Sequence, residues 1–152
     1  MKPLNNVWLA RAVLSLGSLI LSLNYVIAAE ARALSPAGTW KVTMIDPQTK
    51  NKMGSEETLK INLEAGKLTG TITHRSNVNG SVRVYESAIQ EIKLQGTDIS
   101  FTFSHPPHVG RGPDVACTYQ GKLAGDAIKG KIEQDWSGHT FRRDWQARRI
   151  AE

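Results

Sequence analysis

The stretch "SPAGTWKVTM" (Ser35–Met44) decides how the rest of the chain is read. Trp40, Val42 and Met44 alternate with Lys41 and Thr43, which is the two-residue period of a strand with one buried face. Gly38 just before the Trp lets the backbone make a close approach, and Ser35-Pro36 marks the end of a different kind of sequence upstream.

The same period recurs to the end of the chain. Leu59, Ile61 and Leu63 alternate with polar residues, as do Leu68, Gly70 and Ile72; Ile99, Phe101 and Phe103; Ile128, Gly130 and Ile132; and Phe141, Trp145 and Ala147. No segment after Pro36 carries a sustained 3.6-residue stripe. The short connections "EAGK", "QGTD" and "AGDA" each place a Gly where a hairpin turn demands positive φ. These signals predict an all-β fold of eight strands near 38–45, 56–64, 67–75, 86–94, 98–104, 114–123, 127–136 and 140–149. Joined in order with no crossover helix, they predict an antiparallel up-and-down barrel, whose closure removes exposed edges. A two-sheet sandwich is the alternative. An internal echo aligns "TLKINLEAGKLTGTI" (58–72) on "TYQGKLAGDAIKGKI" (118–132), matching Gly70 with Gly130. Similar hairpins need similar residues, and nothing chemical repeats.

Residues 1–33 read as a signal peptide. Lys2 and Arg11 precede the apolar run "AVLSLGSLILSLNYVIAA", and "AEARA" offers small-residue cleavage sites. An uncleaved membrane anchor is the rival reading of the same run. The expected organisation is thus a leader over 1–33 and one β-barrel domain over 34–152, exported to the periplasm or beyond the cell. Cys117 is the only cysteine, so no internal disulfide forms, and "DVACTYQG" supplies no cation to make its thiol reactive. The net charge of +5 falls to +3 once three cations and one anion leave with the leader. That balance and an exported location argue against a nucleic-acid partner. Contact with membrane is expected only through an uncleaved leader, and the barrel is expected to be a monomer.

In an up-and-down meander, successive connections alternate between the two ends. The tight turns fall at one end. The longer connections "DPQTKNKMGS" (46–55), "SNVNGSVRV" (76–84) and "HPPHVGRGP" (105–113) fall at the other, with the short "SGH" (137–139). Binding residues concentrate on long loops held by a rigid scaffold. All four histidines, His74, His105, His108 and His139, belong to that elaborated end. Parity with Phe141 and Trp145 turns Arg143 inward, parity with Leu68 and Ile72 turns His74 inward, and parity with Ile92 and Leu94 turns Gln90 inward. These six residues are the expected ligand-binding set.

No nucleophile elbow, His-Glu-x-x-His or other catalytic signature is present, so no enzyme activity is expected. Glu133 and Asp135 share a strand face without converging on a substrate. Neither a cofactor nor a metal is expected, since His105-Pro-Pro-His108 is an extended kink rather than a helical ligand pair.

Gly38-Thr39-Trp40 at the start of the first strand resembles the Gly-x-Trp signature of lipocalins and the wider calycin barrels. The resemblance implies that Trp40 closes one end of the barrel against a cation at the end of the last strand, here Arg149 or its neighbour Arg148. The chain is also similar in pattern to small exported bacterial domains of unassigned function, through "GTW", "KLTGTI", "GDAIKGKI" and "RDWQARR". That second likeness implies fold and export rather than a ligand. The expected function is therefore a non-catalytic, lipocalin-like module for a small, partly apolar molecule. A filled barrel that displays loops to a protein or surface is one alternative. A metal or catalytic site among the loop histidines is another. A cavity of ~300 Å³ or more at the elaborated end would favour ligand capture.

Overall fold

Alternating burial runs through nearly every strand of the computed structural model, which describes residues 35–78, 81–107 and 112–150. The expected leader over 1–33 and His108 lie outside those residues. Nine strands form one antiparallel sheet: β1 (Gly38–Ile45), β2 (Lys52–Glu64), β3 (Lys67–Val78), β4 (Ser81–Ala88), β5 (Glu91–Gln95), β6 (Asp98–His105), β7 (Val115–Ala124), β8 (Ala127–Trp136) and β9 (His139–Arg149). Their order across the sheet is β4-β3-β2-β1-β9-β8-β7-β6-β5, so every neighbour but one is a neighbour in sequence. The exception joins β1 to β9, through pairs running from Trp40 with Arg149 to Ile45 with Asp144. Among the described residues no helix is long and apolar enough to cross a membrane.

The eight-strand expectation is corrected in its fourth member. The run predicted over 86–94 is split into β4 and β5, and the chain changes partners between them. Ile89 N–H donates to the Gly70 carbonyl of β3 at 2.9 Å, and the next amide, Gln90 N–H, donates to the Thr102 carbonyl of β6 at 2.9 Å. One continuous path therefore pairs first with one edge of the sheet and then with the other. This curls the sheet into a half-barrel. The switch also resets parity, so Gln90 is exposed rather than inward, and Ile89 packs against the core instead. The expected loop over 76–84 is likewise a hairpin, in which β3 and β4 pair as far as Val78 with Ser81. Its Ser- and Asn-rich composition conceals the strand period.

Two glycines explain the internal echo. A Cβ on Gly70 would lie 2.4 Å from the Lys60 carbonyl oxygen, and one on Gly130 would lie 1.8 Å from the Gln120 carbonyl oxygen. Both are places where neighbouring backbones approach too closely for any side chain. A large residue fills the space over each. Ile89 lies beside Gly70, and Trp145 is the direct cross-strand partner of Gly130. The Trp145 indole N–H donates to the Gln120 and Lys131 carbonyls, at 3.0 and 3.1 Å.

The inward residues form one core. Trp40, Val42, Leu59, Ile61, Ile72, Phe101, Tyr119, Ile128, Ile132 and Trp145 are all buried. Phe101 stacks on Tyr119 with centroids 4.7 Å apart, and Trp145 meets Tyr119 edge-on at 4.9 Å. Burial of this aromatic group is the main stabilising term, at about 25 cal/mol per Å² of apolar surface.

The tight turns cluster at one end. Leu123 N–H donates to Thr97 O, Arg149 N–H to Asp126 O and Ile150 N–H to Thr39 O, tying turn to turn. There Trp40 lies fully buried and donates its indole N–H to Pro36 O at 2.9 Å. Arg149 stacks over its ring, donates from Nη1 to Ala37 O, and pairs through Nε with Asp126 at 2.8 Å. Gly38, at φ 132°, has no room for a Cβ beside the Arg149 guanidinium. Of the two cations that the resemblance offered, Arg149 makes the contact. Arg148 is exposed.

Candidate functional site

At the opposite end the interior turns polar. The connection from β1 to β2 is shorter than the sequence suggested, because Asp46 turns it. Its Oδ1 accepts the N–H groups of Gln48 and Thr49 at 2.7 and 2.8 Å, which holds the Asp46 carboxyl below its ordinary range. A bulge then shifts the β1–β2 register between Val42, paired with Glu57, and Met44, paired with Met53. Glu57 shares a strand face with Leu59 and Ile61, and it carries its carboxylate under the sheet.

That carboxylate organises the interior. His74 Nδ1 lies 2.8 Å from Glu57 Oε1, and the Tyr119 hydroxyl donates to Oε2 at 3.1 Å. An ionised carboxylate only accepts, so Nδ1 carries the proton of the first bond. His74 is buried, and among the described residues its Nε2 has no hydrogen-bond partner. Leaving such an atom unsatisfied costs about 1–3 kcal/mol. The His74 ring lies against Phe103 and His105, with centroids 5.1 and 5.0 Å away. His105 is also buried, and its Nδ1–H donates to Pro106 O at 2.7 Å.

Next to these rings is a cleft of about 230 Å³, lined by His105, Pro107, Val115, Gln134, Trp136, Phe141 and Arg143. Trp136 and Phe141 are exposed at its rim, at 36% and 45%. Arg143 is half-buried within it. Gln134 uses its amide N–H on the Cys117 sulfur at 3.6 Å. Burial, more than any neighbour, pushes the Cys117 thiol up to about 11, with the Glu57 charge adding to it and the Gln134 bond opposing it. Burial first, and then the Glu57 charge, holds the Tyr119 hydroxyl well above its ordinary value. Burial thus favours the protonated form of both groups.

The structure thus brings together three of the six expected ligand-binding residues: His74, His105 and Arg143. Gln90 is at the exposed strand switch, His139 is exposed beside the β8–β9 turn, and His108 lies outside the described residues. Among the described residues, no three His, Cys, Asp or Glu side chains are arranged to hold a metal ion. Sequence reasoning missed Glu57 and Gln134. The signal was available in both cases, because Glu57 has the parity of Leu59 and Ile61 and Gln134 that of Ile128 and Ile132. A second depression lies on the outer face, among Lys93, Lys122, Lys129 and Lys131. Lys122 and Lys93 are occupied there by Asp98 and Glu91, at 2.6 and 3.0 Å, as on an ordinary solvated face.

No known family, curated protein or solved structure matches the chain.

Proposed function

We propose that the protein is an exported, non-catalytic, lipocalin-like binding module that takes a small, partly apolar molecule in the cleft beneath Trp136 and Phe141. The observation that carries this reading is the composition of the cleft. An aromatic rim leads to a few convergent polar groups, His105, Gln134 and Arg143, as in sites that bind by shape and orient by hydrogen bond. The inert Cys117 thiol supports binding over chemistry. The leader over 1–33 would deliver the domain to the periplasm or beyond, where it acts as a monomer with no nucleic-acid partner. Its calycin kinship rests on Gly38, Trp40 and Arg149.

A second reading has one observation in its favour. At about 230 Å³ the cleft is below the range typical of drug-sized ligands. The domain could then display its far-end loops to a protein or surface around a largely filled core.

Native mass spectrometry of the protein purified from its own host separates the two. A copurifying small molecule that is lost on Phe141→Lys supports ligand capture. A bare apo mass, together with unchanged Trp136 fluorescence across a panel of small amphiphiles, overturns it.

A further inference from the structure

We infer that Arg143 is a carboxylate anchor, and that the ligand class is a small aromatic monocarboxylic acid. This rests on the cleft reading above and goes further by naming the group that the cleft recognises.

The argument begins with an imbalance. Of the four arginines of β9, Arg142 pairs with Glu133 at 2.8 Å, Arg149 pairs with Asp126 at 2.8 Å, and Arg148 is exposed to water. Arg143 is half-buried, yet it makes no hydrogen bond or ion pair with any described residue. A guanidinium drawn out of water needs a partner. The Glu57 carboxylate is engaged by His74 and Tyr119, and among the described residues it makes no ion pair with Arg143. The open side of Arg143 is the cleft. Its planar fork of donors matches a carboxylate with two parallel bonds.

The walls define the rest of the molecule. Trp136 and Phe141 offer aromatic faces, and Pro107 and Val115 complete an apolar surround. A flat ring stacks on such walls. A volume of about 230 Å³ leaves room for one ring and its acid. The charge balance selects a monoanion. Among the described residues one cation lines the cleft, and the buried Glu57 carboxylate, whose field reaches Tyr119 and Cys117, opposes a second negative charge.

Isothermal titration of the protein with benzoate, benzamide and phenyl phosphate tests this, with the Trp136 indole resonance as a site-specific reporter. Benzoate is expected to bind at least about tenfold tighter than benzamide. That preference should vanish in Arg143→Gln. Equal binding of benzoate and benzamide by the unaltered protein overturns the carboxylate anchor and leaves the cleft reading standing. Tighter binding of phenyl phosphate than of benzoate overturns the monocarboxylate assignment. If none of the three shifts the Trp136 resonance, the aromatic-acid assignment fails, and the wider cleft reading stands or falls with the amphiphile panel and the native mass. The comparison of acid with amide needs no variant, so it decides the matter even if Arg143→Gln does not fold.

Discussion

Arg149 and Trp40 face each other across the β1–β9 ladder, with the guanidinium carbon 4.1 Å from the centre of the indole ring. The contact joins the first strand to the last. It also holds the entering chain, since Trp40 donates to Pro36 O and Arg149 to Ala37 O. The Arg149 side chain is 7% exposed, so its interaction with the ring is desolvated and worth about 2 kcal/mol. Its pairing with Asp126, which is 77% exposed, adds little.

Two substitutions check this relationship. Trp40→Ala should cost about 3–5 kcal/mol, the range for emptying a large aromatic site. Arg149→Lys should be destabilised almost as far as Arg149→Ala, because an ammonium cannot stack on the ring and reach Ala37 O and Asp126 together. Urea denaturation measures both. Full stability in Arg149→Lys would show that charge alone suffices.

Gly130→Ala is expected to be the most damaging of the conservative glycine substitutions. Its new methyl group would meet the Gln120 carbonyl and the Gly121 Cα, both backbone and neither free to move aside. The cost should reach about 3 kcal/mol or more. Gly121→Ala, whose closest neighbours are at 3.0 Å and include the Ile128 side chain, should cost less. Thermal melting of the pair gives the order.

Glu57→Ala should lose about 2–5 kcal/mol, since it leaves His74 Nδ1 and the Tyr119 hydroxyl buried without their acceptor. Glu57→Gln should lose less, because its amide oxygen still accepts one of the two bonds. Chemical denaturation at pH 7 checks both. Equal losses would mean that the charge, rather than the acceptor, is what matters.

Alkali should weaken the fold before neutral conditions do. The Cys117 thiol is pushed from 9.0 up to about 11 by burial, and Tyr119 is raised in the same direction. Above pH 9 the unfolded chain loses the thiol proton while the folded chain keeps it. Stability is therefore full below about pH 9 and falls as pH rises towards 11. Cys117→Ser should flatten part of that decline. At pH 8 the native thiol should resist alkylation, and rapid labelling there would contradict its burial.

Much of the fold was legible in the alternation of Trp40, Val42 and Met44 and its repeats, because burial on one face leaves a period of two. The same logic turned His74 and Arg143 inward. It failed at Gln90 because parity carries through a strand only while the strand keeps its partner. The exchange from Gly70 to Thr102 is a long-range event, with no local mark beyond Ile89. It also passed over Glu57, whose charge suggested solvent. A buried carboxylate is understood only once its partners, 17 and 62 residues away in sequence, are in place. The hairpin over 76–84 stayed hidden because its polar residues look like loop, although backbone pairing is indifferent to side-chain polarity.

The position of β9 has a consequence for how the molecule is made. β9, 11 residues long and the last of the described strands in chain order, lies between β1 and β8, in the middle of the sheet order. Until it arrives, the strands on either side of it have no common partner, and Trp40 and Gly130 both lack their cover. The core therefore closes only when β9 docks. Without β9 the sheet order falls into two separate runs, β1 to β4 and β5 to β8.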